Sequence, residues 1–95
     1  MFKHFVVLHK EHLSAVDSKY DFRAVVRIDS EEKSESLLER VYFLTNSIDS
    51  NWVDNPEVLT SAFSRMRSTS VGDRILCADT TEVFEVVDIG FKKVS

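Results

Sequence analysis

The chain contains few of the residues on which several specialised folds depend. Its 95 residues include one cysteine, Cys77, and two glycines, Gly72 and Gly90. A single thiol excludes an internal disulfide and a cysteine-based zinc cluster, and its apolar neighbours predict a thiol buried in a strand. Two glycines eighteen positions apart exclude a glycine-rich phosphate loop. Gly72 is predicted in a turn with positive φ, and Gly90 at a bulge or close backbone approach.

Long apolar runs are also missing. No uninterrupted run exceeds four residues, the length of Phe5 to Leu8 and of Val41 to Leu44, whereas a membrane span needs about 20. The first run is too short for the roughly 7–15-residue apolar region of a signal peptide. We therefore expect no membrane partner and a cytoplasmic protein.

Basic residues are too few to dominate the surface. The net charge is −4, and residues 31–64 hold seven acidic side chains against two basic ones. This balance lacks the basic footprint of phosphate-dominated nucleic-acid binding. Nucleic-acid binding is kept as an alternative, through a local patch formed by Arg65, Arg67, Arg74, Lys92 and Lys93.

What the chain does contain is enough apolar surface for a packed core. Hydrophobic residues make up 43 % of it, with seven Phe, which predicts a single domain over residues 1–95. Residues 2–8 carry apolar side chains on both faces of a strand, as expected for a central strand. The alternation from Tyr20 to Ile28 predicts a half-buried strand that pairs antiparallel with the first.

Helical spacing follows the strand pair. Apolar residues from Leu37 to Ile48 recur at this spacing and predict a helix over about 31–45, capped by Asp29 or Ser30. Pro56 favours a second helix over about 56–64. Strands over 74–78 and 83–89 complete a two-layer α+β domain of order β-β-α-(α)-β-β, with a mostly antiparallel sheet covered by the main helix.

A polar turn precedes the third predicted strand. Residues 67–73 read Arg-Ser-Thr-Ser-Val-Gly-Asp, a composition typical of a turn that feeds a strand, and Gly72, Asp73 and Gly90 are predicted as structural turn residues. Guanidinium, hydroxyl and turn amide groups also suit a phosphate or carboxylate. The predicted binding residues of this turn and of the 46–55 loop are Asn46, Asp49, Asn51, Trp52, Arg67, Ser68, Thr69 and Ser70.

The sequence offers weaker support for a catalytic site or a metal site. Asp49, Asp54 and Asp73 would be the acid and base of a small hydrolase, although such side chains in loops more often bond backbone amides. His4 and His9 lie on opposite faces of the predicted first strand and cannot chelate one ion from it. The histidines are interpreted as surface side chains. No catalytic residue, metal or cofactor is predicted.

Three segments of the sequence are similar to those of a known group of proteins. Residues 44–52 (Leu-Thr-Asn-Ser-Ile-Asp-Ser-Asn-Trp), 67–73 and 87–91 (Val-Asp-Ile-Gly-Phe) together resemble a group of small uncharacterised proteins from phages and bacteria. The resemblance implies a strand pair and helix leading into the loop before Trp52, then the polar turn and the Gly-Phe ending. It implies no reaction or ligand. Residues 58–65 are more apolar here than the link expected in that group. A phage-encoded chain would reside in the host cytoplasm.

The sequence therefore predicts a small non-enzymatic binding or regulatory module. Its partner is expected to be another protein, held by the 46–55 loop and the 67–73 turn, because no catalytic constellation is visible and the loop is polar with one Trp. An exposed Trp52 or an uncovered edge strand would also favour a homodimer.

Overall fold

A computed structural model describes residues 1–10, 20–46 and 51–95. These ranges contain one six-stranded antiparallel sheet and one α-helix, so the α+β class is confirmed and the fold is mostly β. The strands are β1 (Phe2–Lys10), β2 (Tyr20–Asp29), β3 (Val58–Ser61), β4 (Arg74–Cys77), β5 (Glu82–Val86) and β6 (Phe91–Lys93), and the helix is α1 (Leu38–Thr45). The spatial order of the strands is β3-β2-β1-β4-β5-β6.

β1 lies in the middle of the sheet and pairs with β2 on one side. Phe5 lies opposite Val26 in an antiparallel register that shifts between Val7 and Leu8. On its other side β1 pairs with β4, where Phe5 lies opposite Cys77. The predictions of a central first strand and of an antiparallel partner are therefore both confirmed.

One face of the sheet is buried under α1 and the segment around Trp52. The two-residue side-chain period of a strand places alternate residues of the four central strands on this face. Its core side chains are Phe5, Val7, Ala24, Val26, Ile28, Ile75, Cys77 and Phe84, with Leu37, Leu38, Val41 and Trp52 packed over them. Cys77 is buried as predicted, and burial raises the pKa of its thiol to about 11.

The opposite face carries a row of half-buried apolar residues. Val25, Val6, Leu76 and Val83 lie side by side in the register of four neighbouring strands. Exposed aromatic rings flank this row, with Phe2 55 % and Phe22 43 % exposed.

The main helix begins later than predicted. Residues 34–37 form a short 3₁₀ helix, and α1 follows at Leu38. Asp29 and Ser30 do not cap it because β2 continues through Asp29. The amino group of Met1 pairs with the Asp29 carboxylate at 2.9 Å, and the Ser30 amide donates to the Met1 carbonyl at 2.9 Å. These bonds hold the chain extended where a cap was expected.

The predicted second helix over 56–64 is wrong, because residues 58–61 form β3 on the outer edge of β2. The Arg27 amide donates to the Glu57 carbonyl at 2.8 Å, and the Ala62 amide donates to the Arg23 carbonyl at 2.7 Å. The free edge of β2 thus supplies partners that outweigh the weak helical spacing of this segment.

The last predicted strand, 83–89, ends early and is followed by a strand that was not predicted. β5 ends at Val86, and Gly90, with a φ of +83°, turns the chain into β6. The Val87 amide donates to the Gly90 carbonyl at 3.1 Å and closes this turn. The bulge or close backbone approach predicted at Gly90 is therefore a hairpin turn. Gly72 has a φ of +98°, which confirms its predicted conformation.

None of the helices in the described ranges has the length and apolar character needed to cross a membrane.

Candidate functional site

The 67–73 turn is held from inside by the carboxylate of Asp73. This side chain is 1 % exposed. Its Oδ1 accepts from the Lys10 amide at 2.8 Å and from Arg67 Nη2 at 2.8 Å, and its Oδ2 accepts from Arg67 Nη1 at 2.7 Å and from the Ser70 amide at 2.8 Å. A carboxylate has about four lone-pair sites, so these four donors fill them.

The charge of Asp73 is stabilised in place. Burial by itself would raise the pKa of this carboxyl, but the bidentate Arg67 guanidinium and the backbone amides hold the pKa below its ordinary value of 3.8. The same contact raises the pKa of Arg67. Asp73 is therefore an ionised structural group near neutral pH, and its acceptor sites are already occupied by donors of the chain.

His9 lies beside this ion pair in the interior. Its Nε2 is 2.9 Å from Thr69 Oγ1 and 3.9 Å from Asp73 Oδ2, and both His9 and Thr69 are completely buried. The Thr69 amide donates to the Thr45 carbonyl at 2.8 Å, which joins the turn to the end of α1. The prediction of a surface histidine is wrong for His9, because β1 extends beyond Leu8 and keeps its inward period.

Trp52 joins the loop to the turn. Its indole N–H donates to the Arg67 carbonyl at 3.0 Å, its ring meets the His9 ring edge-on with centroids 6.2 Å apart, and only 1 % of it is exposed. Trp52 thus brings the loop into contact with the turn, and its ring belongs to the hydrophobic core. We call His9, Trp52, Arg67, Thr69 and Asp73 the polar joint.

The other predicted binding residues have separate places. The Asn46 amide donates to the Phe43 carbonyl at 3.4 Å and ends α1, while the Asn51 side chain donates to the Ser64 carbonyl at 2.6 Å. The Ser68 carbonyl accepts from Arg67 at 3.0 Å. Asp54 is exposed in a short 3₁₀ helix, Trp52–Asp54. Asp49 lies outside the described residues, as do His12 and the other residues of 11–19.

The five predicted nucleic-acid contacts do not share one surface. Arg67 is held by Asp73, and Arg74 Nε donates to Glu85 at 3.2 Å while the guanidinium lies 4.3 Å from the centre of the Tyr20 ring. Lys92 is in register with Glu85 and therefore shares the face of Arg74. By contrast, Lys93 pairs with Glu82 at 2.9 Å on the opposite face. Arg65 is exposed on the segment after β3.

A cleft of about 550 Å³ opens between the helical segment and the β5–β6 turn. We call it the acidic cleft. Its lining residues are Glu35, Ser36, Glu39, Tyr42, Val71, Val86, Val87, Asp88, Gly90 and Phe91. The rings of Tyr42 and Phe91 meet edge to face inside it, with centroids 6.2 Å apart and ring planes at 78°. The cleft thus combines an aromatic pair with three carboxylates.

The three carboxylates of the cleft have no ionic partner among the described residues. Other carboxylates, such as Asp29, Asp79 and Glu82, each face a cation within 4 Å. Three carboxylates without an ionic partner thus lie together beside the aromatic pair.

The polar joint supports one wall of the cleft. Val71 lies in the middle of the 67–73 turn, lines the cleft and is 54 % exposed. The Gly72 amide donates to the Val86 carbonyl at 2.8 Å, and the Val86 amide donates to the Asp73 carbonyl at 2.8 Å. The turn is thus fixed to β5 on one side and to the joint on the other.

This cleft was not predicted from the sequence. Glu35 and Glu39 were placed in the predicted main helix, and residues 87–89 in the last predicted strand. One signal was present: Glu35, Glu39 and Tyr42 are spaced by four and three residues, which places two like charges and an aromatic ring on one side of the helix. The contribution of Asp88 and Phe91 depends on the turn at Gly90.

Comparisons with protein-family models, with curated proteins and with solved structures found no match to this chain. The family resemblance of the three sequence segments stays a prediction.

Proposed function

We propose that the protein is a non-enzymatic binding module that docks a segment of another protein in the acidic cleft. The observation that carries the proposal is an open cleft of about 550 Å³ with an aromatic pair and unpaired carboxylates. Binding sites typically combine an apolar lining with a few polar groups that fix orientation. The 67–73 turn takes part through Val71, and the loop around Trp52 holds that turn.

The surroundings of the cleft favour a protein segment over an isolated small molecule. Ile89, beside the cleft, is 93 % exposed, and Phe43, which lines an adjoining shallow depression with Glu39, is 80 % exposed. Apolar side chains displayed next to a groove are typical of protein interaction surfaces. Phe91 belongs to β6, which is the last strand of the sheet and offers an edge to an extended chain.

Selection from a random dodecamer peptide library tests the proposal. The folded protein is the bait, and enriched peptides are measured by isothermal titration against the wild type and against Tyr42→Ala and Val71→Ser. We expect both substitutions to weaken binding at least tenfold, because each removes apolar contact area. Leu59→Ala is the matched control, since Leu59 is 46 % exposed on β3, away from the cleft lining. Equal binding by all four proteins would contradict the proposal.

A second candidate function is single-stranded nucleic-acid binding on the sheet face opposite α1. Two arginine–aromatic pairs favour it: Arg27 lies 4.3 Å from the centre of the Phe2 ring, and Arg74 lies 4.3 Å from that of Tyr20. Rings and guanidinium groups on one sheet are suited to base stacking and phosphate contacts. Lys92 adds a cation to the row of Arg74.

Fluorescence anisotropy with labelled oligo(U) and oligo(dT) at about 20 mM salt tests this candidate. Binding that weakens steeply with salt, and that Arg27→Gln reduces, is the expected result. No change in anisotropy at this salt concentration would remove nucleic acid as a partner.

A further inference from the structure

We infer that the group seated in the acidic cleft is a basic side chain, arginine or lysine, of the bound protein segment. This inference rests on the proposed function and names the chemistry of its partner. Three features of the cleft support it: the charge of its lining, the helical spacing of Glu35 and Glu39, and the two aromatic rings.

The charges of the cleft are complementary to a cation. Glu35, Glu39 and Asp88 line it, and none of them pairs with a cation in the part of the chain that the structure describes. Several carboxylates on the strands do have such a partner: Glu82 meets Lys93 at 2.9 Å and Glu85 meets Arg74 at 3.2 Å. A bound arginine or lysine would supply the missing counter-charge.

Two of the cleft carboxylates are neighbours of like charge. Glu35 lies in the short 3₁₀ helix and Glu39 lies four residues later in the first turn of α1, and like charges at this spacing repel each other. A cation placed between them converts repulsion into attraction. The bound state therefore gains more from these two carboxylates than the free state does.

The aromatic pair adds a preference for an organic cation. The rings of Tyr42 and Phe91 both line the cleft and are nearly perpendicular to each other. A guanidinium or ammonium group over an aromatic face is attracted by the ring quadrupole. The carboxylates do not gather into a cluster that could hold a metal ion among the described residues. They line a space suited to a larger group with several N–H donors, such as a guanidinium.

The direct test uses two small probes that differ in charge and not in shape. N-acetyl-arginine amide and N-acetyl-citrulline amide are titrated into ¹⁵N-labelled protein at low salt, and amide shifts are followed by NMR. We expect arginine to shift the signals of the cleft residues, with binding at least tenfold tighter than that of citrulline. Raising the salt to about 500 mM should weaken the arginine complex, since screening shortens the range of charge interactions.

Charge variants assign the effect to the cleft. Glu35→Gln, Glu39→Gln and Asp88→Asn together should abolish the preference for arginine over citrulline. A matched triple, Glu32→Gln, Asp54→Asn and Glu57→Gln, changes the net charge equally outside the cleft and should preserve the preference. Equal affinity for the two probes, or a preference that survives the cleft triple, would overturn the inference.

The outcome for the proposed function is read separately. Peptides from the library that need Tyr42 but contain no arginine or lysine would leave the docking function in place and overturn the basic anchor. Enriched peptides that lose at least tenfold in affinity when their arginine is replaced by citrulline would support both. Peptides insensitive to every cleft substitution would contradict the docking function itself.

Discussion

The polar joint and the acidic cleft share the 67–73 turn but treat charge in opposite ways. In the joint, Asp73 is buried and each of its oxygens accepts two strong hydrogen bonds. In the cleft, Glu35, Glu39 and Asp88 stand beside aromatic rings without an ionic partner among the described residues. A satisfied buried network rigidifies a fold, whereas unpaired charge beside apolar surface is available to a partner. In the proposed function, the joint stabilises the fold and the cleft recognises the partner.

The largest expected effect is in the joint. Asp73→Asn removes the charge that Arg67 neutralises and turns one acceptor oxygen into a donor facing other donors. Removing one partner of a buried ion pair typically costs about 3–5 kcal/mol, and the partial exposure of Arg67 places this variant near the lower value. Urea denaturation followed by circular dichroism measures the loss. Asp88→Asn is the matched change in the cleft and should stay within about 0.5 kcal/mol of wild type. Similar losses for both would erase the distinction between the two regions.

Trp52→Phe tests how far the loop around Trp52 stabilises the joint. The change keeps an aromatic ring but removes the indole donor to the Arg67 carbonyl and part of the buried volume. We expect a loss of about 1–3 kcal/mol in the free energy of unfolding. Circular dichroism is the suitable probe, because the variant has no tryptophan. A loss below about 0.3 kcal/mol would show that the loop is not anchored through this ring.

Acid should weaken the joint through Asp73. Because the pKa of this carboxyl is lower in the folded protein than its ordinary value of 3.8, its stabilising contribution is complete above 3.8. The contribution is lost as the pH falls below 3.8 through the folded pKa. Urea unfolding between about pH 6 and pH 2 measures the decline. Asp73→Asn should show a shallower decline than wild type, and identical profiles would contradict this assignment.

The smallest expected effect is in the cleft. Glu35→Gln with Glu39→Gln removes repulsion between like charges, but it also removes a carboxylate from the first turn of each helix, where it opposes the helix dipole. These opposing contributions should keep the free energy of unfolding, measured by urea denaturation, within about 0.5 kcal/mol of wild type. A loss above about 1 kcal/mol would show that these carboxylates support the fold of the free protein.

Local pattern predicted much of the sheet. The alternation from Tyr20 to Ile28, the turn at Gly72 and the buried Cys77 are local signals, and each corresponds to an observed feature. Residues 58–61 show why the rest was missed. Their spacing is compatible with a helix, and only the unpaired edge of β2 makes them a strand. That edge is a property of the folded sheet.

The candidate site was likewise predicted only in part from the sequence. The sequence drew attention to the 67–73 turn because its hydroxyls, arginine and glycine stand in a suggestive order, and the structure places Thr69 and Asp73 in the interior. The cleft combines α1, the turn around Val71 and the β5–β6 hairpin, so its lining depends on how distant elements pack. Among its residues only Glu35, Glu39 and Tyr42 carried a periodic signal.

Two variants, each measured for stability and for binding, test whether the joint stabilises the fold while the cleft binds the partner. Thr69→Val removes the hydroxyl bound to His9 from the joint, and Tyr42→Ala removes one ring from the cleft. Stability and affinity for a library-selected peptide are measured for both at a temperature where each is folded. We predict that Thr69→Val loses about 1–3 kcal/mol of stability and retains its affinity for the peptide. Tyr42→Ala is expected to lose affinity for the peptide at least tenfold, with a smaller change in stability. A loss of affinity in Thr69→Val with unchanged binding by Tyr42→Ala would contradict this prediction.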